Sequence, residues 1–174
     1  DLPVYCAGTA NPLGDFAAHG TLPMAWPLLA KRFAETSAIL AARGFAGPFA
    51  RADGGVYHAA GASDAQELAA VLATMVAYLK AYAEAGIALE EAAGRIEAAL
   101  VADVNQTATI AKFRAIRLLW GAVLRECGLP EQPLKLHGTT AWRSMTRRDP
   151  YVNLLRTTVA AFAEAAHTSH TEQF

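Results

Sequence analysis

The sequence predicts a parallel α/β fold: an arc of a (β/α)8 TIM barrel with about three β/α units, preceded by a helical segment and rich in helix. Three observations predict it. Short apolar runs of strand length alternate with stretches of helical periodicity. The intervening helices are long enough to serve as the crossovers that parallel strands require. No G-x-G-x-x-G or G-x-x-x-x-G-K-[ST] loop follows any strand, which removes the main sign of an open nucleotide-binding sheet.

Residues 1–44 divide into a lead-in and a helix. Gly, Pro and Asn are dense in Ala7-Gly8-Thr9-Ala10-Asn11-Pro12-Leu13-Gly14, which reads as irregular connection, with at most one short helix around Asp15 to His19. From Pro23, apolar residues Trp26, Leu29, Ala30, Phe33 and Leu40 recur at helical steps until Gly44, and Pro23 suits a first helical turn.

The barrel arc is expected over residues 45–166. Its first strand lies within Phe49 to His58, interrupted by Gly54-Gly55. Ser63 or Asp64 then caps a helix through Leu68, Val71, Leu72, Met75, Leu79 and Tyr82, with Glu67 three residues after Asp64 where a capping box wants a carboxylate. Ile96 to Ala102 is the second strand, and Asp103 or Asn105 opens a helix through Phe113, Ile116 and Trp120 to Gly128. Leu134 to Thr140 is the third, and Asp149-Pro150 starts a helix through Val152, Leu155, Val159 and Phe162. Residues 167–174 read as a polar tail. Three parallel strands leave two edges unpaired, so the arc is expected to be part of something larger or to close by self-association.

Composition narrows the function. Hydrophobic residues are 53% of the 174, enough for a real core. A formal charge of −1 provides no general field to draw the chain to nucleic acid or to an anionic membrane, so a polyanionic ligand needs local cations. Cys6 and Cys127 make neither a C-x-x-C pair nor a disulfide framework, which fits a reducing cytoplasm. No apolar run reaches the roughly 20 residues that span a bilayer. Metal binding is not expected: of His19, His58, His137, His167 and His170, only the last two are close, in the polar tail. Ser63, Ser144 and Thr139 lack a nucleophile-elbow context, which leaves hydrolase chemistry unsupported.

The run Ala111-Lys112-Phe113-Arg114-Ala115-Ile116-Arg117-Leu118-Leu119-Trp120 closely resembles the A-K-x-R-A-x-R-x-L-W helix of the methylmalonyl-CoA mutase family. The likeness continues through Arg95-Ile96, Asp103-Val104-Asn105-Gln106 and Thr146 to Thr158, and covers the chain from Asn11 to about Ala163. It implies a barrel that encloses an acyl-CoA thioester and works with adenosylcobalamin held by a separate domain. The intact family enzyme is an isomerase. Two departures resemble the small, non-catalytic subunits. Tyr57-His58-Ala59-Ala60-Gly61-Ala62-Ser63 is shorter than the catalytic Y-H-x-x-E-A-G-A-T segment, whose His contacts the thioester carbonyl. His137-Gly138-Thr139-Thr140-Ala141-Trp142 lacks the catalytic glutamine. The cobalamin-binding D-x-H-x-x-G loop does not occur in the sequence, so no cobalamin is expected on this chain alone.

From this resemblance His58 and Tyr57 are the catalytic candidates, His58 as a donor to a thioester oxygen from the end of a barrel strand. The alternative is a half-buried His satisfied by a neighbouring carbonyl. His137, Arg143, Arg147 and Arg148 are the candidate substrate or CoA contacts, with Arg156 in the same basic cluster. Lys112, Arg114 and Arg117 cannot all grip one phosphate; capping of strand-end carbonyls or ion pairing with Asp103 or Glu126 is the expected use, with a CoA contact as the alternative. Two functions remain open: a mutase small-subunit barrel that is itself inactive and pairs with the large catalytic subunit, or a self-associating scaffold or CoA-binding module without catalysis.

Overall fold

The computed structural model describes residues 4–5 and 9–168. Strand β4 (Ile96–Ala102) is the centre of a parallel sheet ordered β3-β4-β5, with β3 (Ala50–Asp53) on one side and β5 (Lys135–Thr140) on the other. A second parallel pair joins β1 (Val4–Tyr5) to β2 (Phe45–Ala46). All seven residues of β4 are buried, as a strand flanked on both edges and covered on both faces requires. The third strand alternates toward exposure, and among the described residues β5 is an edge strand paired with β4.

Among the described residues the other elements are helices α1 (Pro12–His19), α2 (Trp26–Ala42), α3 (Gly55–Ala59), α4 (Asp64–Glu84), α5 (Leu89–Gly94), α6 (Gln106–Glu126) and α7 (Val152–Thr168), with a 3₁₀ turn at Trp142–Ser144. This mixed architecture, with helical crossovers between parallel strands, fits an arc of an α/β barrel. Helices α4 and α6 end in the same way. After each, a glycine takes a left-handed conformation (Gly86, φ 80°; Gly128, φ 72°), and the next amide reaches back five residues, Ile87 to the Tyr82 carbonyl and Leu129 to the Leu124 carbonyl. The core lies between the sheet and α2, α4 and α6, around Phe33, Met75, Tyr78, Tyr82, Phe113, Ile116 and Trp120. Phe33 stacks obliquely on both Tyr78 and Tyr82, at 5.3 Å between ring centres.

Several local expectations change. The first strand stops at Asp53, and Val56, Tyr57 and His58 are helical, because the Gly54 amide makes the last bond to β4, to the Ala99 carbonyl, and the chain then turns up into α3. The N-cap of α4 is Ser63, whose capping box is closed by Gln66. Glu67 is thereby free of capping duty. Asn105, not Asp103, caps α6. Helix α2 begins at Trp26, with Pro27 and not Pro23 in its first turn, and α7 begins at Val152, after Pro150. The segment Leu89–Gly94, with no strong periodicity of its own, forms α5. The short helix allowed around Asp15 to His19 is α1, which starts earlier, at Pro12, and Leu13 packs on the core. Cys6, Ala7 and Gly8 lie outside the described residues, as do Ser169 to Phe174 of the expected tail; α7 itself runs on to Thr168.

Candidate functional site

Parallel register puts cross-strand partners on one face of the sheet. Ala50, Ala52, Ala98, Leu100, Ala102 and Leu136 face the helices. The opposite face therefore carries the rows Arg51, Glu97, Lys135, then Asp53, Ala99, His137, then Val101, Thr139. In the first row Arg51 Nε donates to Glu97 Oε1 at 2.5 Å, and the Thr9 hydroxyl donates to the same oxygen at 3.0 Å. His137 sits exposed in the second row.

Beyond the end of β3 the ladder is continued by a side chain. Val101, past the last residue of β4 that β3 pairs, donates its amide to Glu67 Oε1 at 2.8 Å. Glu67 gets there by passing over Gly54, where a Cβ would lie 2.7 Å from both Glu67 Cγ and Oε1. This carboxylate is fully buried, and a buried charge must be paired. Its partner is Lys112 of α6, 2% exposed, with Nζ 2.8 Å from Glu67 Oε2 and 2.8 Å from Asp64 Oδ1. Glu67 Oε2 also faces His58 Nδ1 at 3.2 Å.

His58 is thus not a strand-end residue open to the sheet face. It is 2% exposed, within α3, enclosed by Glu67 on one side and by Asp103 on the other, where Nε2 lies 3.8 Å from Oδ2. Tyr57, its neighbour, is half-buried. Arg143 belongs to the same assembly: its Nη1 donates to the carbonyls of His58 (2.9 Å) and Ala62 (3.2 Å), at the end of α3. Segment 54–62 is therefore fastened from α4 and from the turn after β5, and Lys112 of α6 anchors the Glu67 that holds it. Arg147 and Arg148 are exposed in the turn before α7 and make no ion pair with the described residues. Arg156 donates to the Ser144 carbonyl. The expected cluster of four cations is not one site: Arg143 and Arg156 are committed to backbone carbonyls.

Glu67 and Lys112 are the members of this site that sequence reasoning missed. The spacing assigned Glu67 to a capping box and paired Lys112 with Asp103 or Glu126. The available signal was Gly54-Gly55 directly after a short strand, which marks a close approach of another group to the backbone. Among the described residues no group of three or more His, Cys, Asp or Glu side chains is arranged to hold a metal ion, and no helix is long and apolar enough to cross a membrane. Cys127 is a free, exposed cysteine at the end of α6.

Comparison with known proteins gives a consistent result. A family model described as methylmalonyl-CoA mutase matches residues 7–174. The methylmalonyl-CoA mutase small subunit of Streptomyces virginiae is 50% identical over 105 residues, 60% of this chain and 17% of that protein. The small subunit of Propionibacterium freudenreichii subsp. shermanii is 40% identical over 113 residues, 64% of this chain and 18% of that protein. The large subunit of Porphyromonas gingivalis is 38% identical over 113 residues, 63% of this chain and 16% of its own length. The chain spans about a sixth of the length of the curated relatives it matches.

Proposed function

Since the chain belongs to the methylmalonyl-CoA mutase family, we propose that it is an arc of the eight-stranded acyl-CoA barrel of a small subunit. In this reading it supports the adenosylcobalamin-dependent interconversion of methylmalonyl-CoA and succinyl-CoA by a heterodimer with the large catalytic subunit, and it is itself inactive. The observation that carries this reading is the enclosure of His58. The histidine whose counterpart, by resemblance, contacts the thioester carbonyl is 2% exposed between two carboxylates, and its carbonyl is fastened by Arg143. A side chain held in that way supports the barrel wall and does not reach a substrate on the sheet face. Tyr57, half-buried beside it, stays with the same wall.

The residues present do not fit a cobalamin site. Neither ring nitrogen of the enclosed His58 has access to a cobalt ion, and the D-x-H-x-x-G loop does not occur in the sequence. Within the assembly, the cofactor would supply the radical that starts the rearrangement, held by residues other than these.

Co-expression with a methylmalonyl-CoA mutase large subunit tests the proposal. A mixed assembly on gel filtration is expected, with isomerisation that needs the large subunit and none from this chain alone. A stable homo-oligomer that ignores the large subunit would favour the scaffold reading instead, and turnover by the chain alone would overturn the inactive assignment. Exposed Arg147 and Arg148 favour one further reading, an acyl-CoA contact through the phosphates. Calorimetric titration with a CoA ester should then give heat that is lost in Arg147→Ala/Arg148→Ala, and no heat from the unaltered chain ends that reading.

A further inference from the structure

We propose that His58 is a proton-operated latch that joins segment 54–62 to the turn between β4 and α6. The inference is independent of the isomerase reading and rests on the two ring nitrogens. An ionised carboxylate only accepts hydrogen bonds, so Nδ1, 3.2 Å from Glu67 Oε2, carries a hydrogen. In a neutral ring, Nε2 is then a bare lone pair. That atom is buried, has no hydrogen-bond partner, and lies 3.8 Å from Asp103 Oδ2, beyond hydrogen-bond reach. Two acceptors facing each other at that distance describe the open position of the latch.

A proton taken from solvent onto Nε2 changes the sign of this contact. The ring becomes a cation with a donor aimed at Asp103, and charge-assisted bonds of this kind close to about 2.7–2.9 Å. The movement required is about 1 Å, and Asp103 is the part free to make it. Its carboxylate is 26% exposed, and its other oxygen already accepts from the adjacent Val104 amide at 2.6 Å. Segment 54–62 is the fixed part, held by Glu67 at the His58 ring and by Arg143 at the His58 and Ala62 carbonyls.

The surrounding charges bear on the direction. Helix α4 brings Glu67 and Asp64, α6 brings Lys112, the turn after β4 brings Asp103, and the turn after β5 brings Arg143, which meets the His58 carbonyl and not its ring. On the near side, Asp53 is bonded to the Gly55 amide, Tyr57 is adjacent in α3, and α1, packed beside α3, carries Asp15 and His19. Lys112 divides its charge between Glu67 and Asp64, so the imidazolium is the only cation among the described residues placed to pair with Asp103. Acid closes the latch and alkali opens it.

Nuclear magnetic resonance of the whole chain from about pH 5 to about pH 8, the range in which imidazoles change charge, tests the proposal. The His58 ring nitrogens and the amides of residues 54–62 and 103–105 are expected to shift with one shared inflection. In Asp103→Asn the ring should still titrate while the amide shifts at 103–105 are lost, and in His58→Gln the shared inflection should vanish with the fold retained. The proposal is overturned by a ring that does not titrate, by amides that stay flat while it does, or by amide shifts that persist in either variant.

Discussion

Lys112 and Arg95 are both cations carried into the core, one toward each end of β4, and they are held in different ways. Lys112 lies near the end where β4 leads into its helix, 1% exposed in its side chain, bonded to two carboxylates on α4, and the carboxylate it shares with His58 also closes the ladder at Val101. Arg95, just before β4, bonds the Ser37 hydroxyl at 3.0 Å and Glu91 at 2.5 Å, but Glu91 is 58% exposed, and the guanidinium lies over Phe49 and Tyr82 at 5.8 and 6.0 Å. One cation is fixed by buried opposite charge, the other by ring faces and a solvated partner. In barrels, the end of the sheet after the strands carries function and the end before them carries stability. The more exacting electrostatics are at the former.

That contrast predicts unequal costs. Lys112→Met should have the largest, about 3–5 kcal/mol by denaturant unfolding, because it leaves the buried Glu67 carboxylate without its lysine cation. Adding Glu67→Gln should recover a substantial part, since the amide oxygen still accepts from Val101 and the carboxylate left behind, Asp64, is solvated. A loss under about 1 kcal/mol for Lys112→Met would break the comparison. Gly54→Ala comes next, at about 2 kcal/mol, because the new methyl displaces Glu67 from its seat. Gly55→Ala is its control. The nearest atom there is the Asp53 carboxylate oxygen, at 2.9 Å on a side chain able to rotate, so the cost should stay below about 1 kcal/mol.

At the other end, Arg95→Met keeps most of the packing area and gives up an ion pair to a solvated carboxylate, a hydroxyl bond and two ring contacts. About 1–1.5 kcal/mol is expected from unfolding midpoints. A cost equal to that of Lys112→Met would show that the two ends do not differ.

How far this contrast could be read in advance follows from which signals are local. The run Ile96 to Ala102 marked β4 residue for residue, because a strand buried on both faces is apolar nearly throughout, here broken only by Glu97. Helices α4 and α6 were likewise legible from periodicity and from the glycines that end them. The site was less so. His58, Tyr57 and Arg143 could be picked out as residues, but the bond from Arg143 to the His58 carbonyl joins positions 85 apart. Glu67 to Lys112 joins positions 45 apart. No spacing rule sees such pairs, and the local rule that did apply, the capping box, gave Glu67 another task. Helix α5 was missed for the opposite reason: its six residues are too few for a periodic pattern to form.

The smallest expected effect tests whether the lead-in belongs to the stable core. Tyr78 is a fully buried side chain of α4 whose hydroxyl accepts from the Leu13 amide at 3.2 Å and donates to Asn11 Oδ1 at 3.3 Å, so it fastens the start of α1. Burial, the largest influence, pushes its ionisation well above the ordinary tyrosine range, against a smaller opposing effect of the Leu13 bond. For an acid whose folded pKa is raised, the stabilising contribution is complete below the unfolded value, about 10 for tyrosine, and is lost as pH rises from there toward the folded value. Tyr78→Phe should therefore cost about 0.5–1 kcal/mol near neutrality, and its stability should fall less steeply than that of the unaltered chain above about pH 10. Thermal unfolding at neutral and alkaline pH checks both. Parallel curves for the two proteins would mean that the hydroxyl is ionised as readily in the fold as outside it.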